Sequence, residues 1–103
     1  ACLARAAMRE PVVRAFAHLD PDLARRNAAT PRQGPLRGIP FGVKDVLDTA
    51  DMPTEHGSPI WAGHQPRADA SSAAAARATG AVILGKTVTT EFATRRPGPT
   101  ANP

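Results

Sequence analysis

Gly80-Ala81-Val82-Ile83-Leu84-Gly85-Lys86-Thr87 can be read in two incompatible ways, and the choice between them decides the fold. Letter for letter it matches G-x-x-x-x-G-K-[ST], the phosphate-cradling loop that would put Lys86 on phosphates and Thr87 on a magnesium ion. Such a loop follows a buried strand and turns its backbone N–H groups inward around the anion. Here the four variable positions are Ala81-Val82-Ile83-Leu84, an apolar run of the kind that forms a buried parallel strand. A strand points its N–H groups alternately to either side and cannot wrap a phosphate. Alanine-rich sequence precedes Gly80, so the order is helix, strand, loop. The strand reading is preferred, with a nucleotide-binding module at 80–87 as its rival.

Upstream, Asp69 is expected to cap a helix from Ala70 to Thr79, with Gly80 ending it at C′. Residues 49–68 carry little periodicity and several breakers, among them Pro53, Gly57, Pro59 and Gly63. A loop this long is functional or packed against something else. Ile39 to Leu47 is the next strand, preceded by a Pro/Gly-rich connection at 31–38. Asp20 at the N-cap and Pro21 at N1 start a helix that fails around Thr30-Pro31. Val12 to Leu19 alternates, predicting a strand, and Leu3, Ala6, Ala7 and Met8 predict a short helix ending before Pro11. A short helical turn is expected over Thr89 to Ala93. The alternation predicts an α/β fold, with a partial mixed, mostly parallel sheet flanked by helices.

Composition narrows the function classes. One Trp, three Phe and no Tyr leave the core to Ala, Val, Leu and Ile, which bury little area each. The chain begins inside a helical pattern at Ala1-Cys2-Leu3 and stops at Ala101-Asn102-Pro103 with no closing element. A fragment of a longer protein is therefore expected. Net charge is +4, but the arginines are scattered from Arg5 to Arg96 and aromatics are scarce, which argues against a nucleic-acid surface. Cys2 alone forms no internal disulfide and fits a reducing compartment. No apolar run approaches the roughly 20 residues of a membrane span. A cytoplasmic protein is expected, with no membrane contact.

The segment Gly34-Pro35-Leu36-Arg37-Gly38-Ile39-Pro40-Phe41-Gly42-Val43-Lys44-Asp45 resembles the amidase signature family, in which a G-P-L-x-G-[IV]-P-x-x-[VI]-K-D stretch carries the catalytic lysine. The likeness continues in order through Pro53–Ser58, Pro66–Ala70, Gly80–Thr87 and Glu91-Phe92-Ala93, with Ala50–Glu55 nearest the malonamidase-like branch. The resemblance implies a Ser–cis-Ser–Lys triad, with Lys44 as its lysine and both serines beyond Pro103. Ser58, Ser71 and Ser72 match neither serine position. It implies that 1–103 is the N-terminal fragment of a single amidase domain, with 1–33 a helix/strand/helix lead-in and 34–103 the start of the core. This chain alone is expected to be inactive. The whole protein would hydrolyse a small-molecule amide without cofactor or metal, and a homodimer is compatible with it. A non-catalytic scaffold that kept the motif is the other rival.

The chemistry asks for such a lysine. A serine hydroxyl is a weak nucleophile until an adjacent base takes its proton. A neutral amine can do this, and burial lowers a lysine pKa toward neutrality. The apolar stretch Ile39-Pro40-Phe41-Gly42-Val43 would supply that setting for Lys44. The bland alternative is an exposed strand-end lysine paired with Asp45, although strand alternation sends Asp45 to the other face. His18, His56 and His64 lack metal-ligand spacing and read as surface or loop residues. Ser58, beside Gly57, either lines the pocket or makes a turn, with the turn preferred, and Trp61 reads as an anchor for the long loop.

Overall fold

The computed structural model describes residues 1–102. Its elements are α1 (Cys2–Val13), β1 (Phe16–Leu19), α2 (Pro21–Ala29), β2 (Pro40–Lys44), α3 (Ser71–Ala78) and β3 (Val82–Thr87). Two short 3-10 turns, Pro59–Trp61 and Glu91–Ala93, interrupt the loops.

The sheet has the order β1-β3-β2, with the apolar strand β3 at its centre. β3 runs parallel to β2, pairing Val43 with Lys86 and Lys44 with Thr87, and antiparallel to β1, pairing His18 with Lys86. The sheet is therefore mixed. Gly80-to-Thr87 is helix end and strand rather than a phosphate loop: its backbone groups enter two ladders, and Lys86 is fully buried. Gly85 lies where β1 crosses, and a Cβ there would sit 2.5 Å from the His18 carbonyl oxygen. Gly80 takes φ +92°, as a helix C′ position requires, and α3 stops there.

The hydrophobic centre is small. Val43 of β2, Met52 of the long loop, Ala73 of α3 and Ile83 of β3 form one buried cluster, with Leu23 of α2 packed against it. Each of the three central elements and the loop thus contributes one side chain, which ties the loop to the sheet.

Three expectations at element ends need correction. The first helix does not stop before Pro11; it runs through it to Val13, so Val12 and Val13 are helical and β1 starts only at Phe16. Local context offsets the proline: Arg14 closes the helix in the left-handed region (φ 50°) and donates to the Glu10 carbonyl at 2.9 Å. The Glu10 carboxylate then accepts from Phe16 N–H at 2.8 Å, turning the chain into β1. Asp69 does not cap α3, whose N-cap is Ala70. Its carboxylate is drawn instead to Ala50 N–H (2.8 Å) and to Arg77 (3.0 Å), so it joins the long loop to the helix. The expected strand over Ile39–Leu47 is shorter, because Leu47 N–H turns back to the Lys44 carbonyl at 3.0 Å. By contrast, Asp20 caps α2 as expected, accepting from Asp22 and Leu23 N–H at 3.0 and 2.9 Å.

Candidate active site

Parallel strands present their chemistry at their carboxyl ends. At that end of β2 and β3 lie Lys44 and Thr87, and the turns that follow them line a cavity of about 350 Å³. Asp45, Glu55, Ser58, Val88 and Thr89 form part of its wall.

Lys44 sits between two anchors. Val43 and Asp45 are 1% and 2% exposed, whereas Lys44 is exposed, so alternation turns its side chain away from the buried face. Among the described residues, its ammonium has no ion-pair partner, and the bland pairing with Asp45 is not made. Asp45 pairs with Lys86 instead, Nζ to Oδ1 at 3.3 Å, with both side chains essentially inaccessible. The dry setting that the sequence offers to Lys44 is therefore found at Lys86.

Lys86 is held on all sides. Its ammonium donates to Thr54 Oγ1 and to the Pro53 carbonyl (3.2 Å). Burial pushes the Lys86 pKa below the ordinary lysine value, against the opposing pull of the Asp45 carboxylate. Asp45 is held as firmly: its carboxylate accepts from Glu55 N–H at 3.3 Å, its N–H donates to the Thr87 carbonyl at 2.9 Å, and its carbonyl accepts from His56 N–H at 3.0 Å.

The long loop is ordered by similar means. Ser58, 4% exposed, caps the first 3-10 turn through Ile60 N–H and donates its hydroxyl to Glu91 Oε1 at 2.7 Å. It is thus a turn residue, as its sequence context implied, and also a link between the two 3-10 turns. Trp61 packs edge-on against His56 and His64, with centroids 5.3 and 4.6 Å away, while His56 stacks on Phe92 at 5.9 Å. Sequence reasoning placed His56, Trp61 and His64 in a loop and Phe92 in a short helical turn, but missed that they form one cluster. The signal for it was ring-bearing residues spread between positions 56 and 92, which have no period to detect.

The amidase family model matches residues 1–103. The chain is 46% identical over 101 residues to a glutamyl-tRNA(Gln) amidotransferase subunit of Chloroflexus aurantiacus, a match spanning 90% of this chain and 21% of that protein. Among solved structures, 6-aminohexanoate cyclic dimer hydrolase superposes with a TM-score of 0.87 at 26% identity, covering 97% of this chain and 22% of that one. Native peptide amidase from Stenotrophomonas maltophilia gives 0.72 at 35% identity, covering 87% and 20%. The chain spans about a fifth of the length of the relatives it matches. With a mixed sheet of the same shape and a family match across its whole length, this chain belongs to the amidase family.

Proposed function

We propose that this chain is the lysine-bearing part of an amidase that hydrolyses carboxamide C–N bonds, and that Lys44 is its base. The observation that carries this reading is the position of Lys44: carboxyl end of β2, both neighbours buried, side chain directed away from the packed face. A base that serves a serine must be fixed in the backbone and free at its amine; Lys44 lies between two buried neighbours and, among the described residues, its ammonium has no ion-pair partner. Lys86, the other lysine, is enclosed and bonded to Asp45, Thr54 and Pro53, so it has no route to a substrate.

In this reading, residues 1–33 lead into the domain and 34–103 begin its core, with the two serines of the triad on later segments. Lys44, as the base, takes a proton, through the cis-serine, from the nucleophilic serine as that serine attacks the amide carbonyl. The protonated relay returns the proton to the leaving ammonia or amine, and water then hydrolyses the acyl-enzyme. The relatives' names share amide-bond chemistry, which supports a carboxamide substrate as a class. The lone cysteine is compatible with a cytoplasmic setting.

Interception of the acyl-enzyme tests this directly. The whole protein, turning over a simple primary carboxamide with hydroxylamine present, should release ammonia and form the hydroxamate. Folded protein that yields neither product from a panel of aliphatic and aryl carboxamides would contradict an amidase and favour a scaffold.

A further inference from the structure

The buried charge network behind β2 is more elaborate than packing requires. A lysine and an aspartate, 0% and 2% exposed, meet at 3.3 Å in the interior, beside a hydrophobic cluster of Val, Met, Ala and Ile and the buried Thr49 and Thr54. Apolar side chains would fill such a place at no loss of stability, since a buried ion pair gains little over its hydrophobic replacement. What the pair adds is direction. Asp45 adjoins Lys44 in the chain, and its carboxylate ties it to Lys86 on β3 and to Glu55 N–H on the long loop. Lys86 in turn reaches Pro53 and Thr54 of the same loop. Two separate segments, β3 and the long loop, are thus drawn to the residue beside Lys44.

We propose that Asp45, Lys86 and Thr54 are positioning residues for Lys44, fixing the end of β2 so that its amine is presented at one place; this rests on the reading of Lys44 as the base. The polar groups of the network are bonded to one another and to the long loop. The network acts through the backbone, which it holds on the side of the strand opposite the Lys44 amine. Misplacing a catalytic group by about 1 Å can lower the rate on the order of 100-fold without disturbing substrate binding. Loss of the network should therefore appear in kcat and not in KM.

The experiment uses the whole protein and four variants. Lys44→Ala shows whether the underlying reading stands. The double variant Lys86→Met/Asp45→Asn removes both charges together. Thr54→Val removes only the hydroxyl that accepts from Lys86 and keeps the shape, so it serves if the double variant is poorly folded. Lys86→Arg restores a cation to the site. With Lys44→Ala inactive, the expected result is a drop in kcat of at least tenfold for the double variant. Thr54→Val should lose several-fold, with KM within about twofold throughout, and Lys86→Arg should recover part of kcat. Wild-type kcat in folded Thr54→Val or the folded double variant, beside an inactive Lys44→Ala, overturns the positioning role alone. Normal hydrolysis by folded Lys44→Ala overturns the Lys44 reading itself.

Discussion

Lys86 Nζ lies 3.3 Å from Asp45 Oδ1, with neither side chain accessible to solvent. Removing one partner of such a pair is worse than removing both, because the survivor keeps its desolvation penalty. Lys86→Met alone should therefore destabilise the fold by about 3–5 kcal/mol. Lys86→Met/Asp45→Asn should recover most of that loss. Urea unfolding of the two variants checks the difference, and equal losses would show that the pair is not coupled.

The same lysine sets an unusual alkaline dependence. Burial lowers its folded pKa from 10.5, so between the folded value and 10.5 the unfolded chain holds a proton that the folded one lacks. Stability tracks the difference in bound protons, so this group's contribution rises with pH through that window. Its full penalty is present below the folded value. Unfolding measured from neutral pH to 10.5 should show the rise in the wild type, and its absence in Lys86→Met/Asp45→Asn.

Gly85 has no room for a side chain. A Cβ would meet the His18 carbonyl oxygen at 2.5 Å and the Phe16 ring at 3.1 Å, both on β1. Gly85→Ala should push β1 off the central strand and lower stability by about 1–3 kcal/mol. Amide exchange should show lost protection at β1, with β2 retained.

Ser58 joins two distant turns through its 2.7 Å bond to Glu91. Ser58→Ala should weaken the fold by about 1–2 kcal/mol, since a charged acceptor loses its buried donor. A double-mutant cycle with Glu91→Gln should give a coupling of the same sign, and additive effects would place the loss elsewhere.

The legible part of this fold was carried by short-range rules. Asp20 and Pro21 announce α2, Gly80 ends α3, and an unbroken apolar run makes β3 a central strand whatever its likeness to a phosphate loop. The rest depends on groups far apart in the chain. Asp69 looks like a cap until Arg77 and Ala50 compete for it, and Pro11 looks like a stop until Glu10 and Arg14 close the turn beyond it. At the candidate site the ordered motifs single out Lys44. They give no hint that the buried, pKa-lowered lysine is Lys86, because that outcome is set by a loop more than thirty positions away that closes over it.

The most direct measurement is kcat/KM for amide hydrolysis by the whole protein carrying Lys44→Ala, taken beside its unfolding curve. Lys44 is exposed and, among the described residues, unpaired, so the fold should survive the change with stability within about 0.5 kcal/mol of wild type. Hydrolysis should fall by a factor on the order of 10³–10⁴, as when a serine nucleophile loses its base. A folded Lys44→Ala protein that hydrolyses amides at the wild-type rate would contradict the assignment.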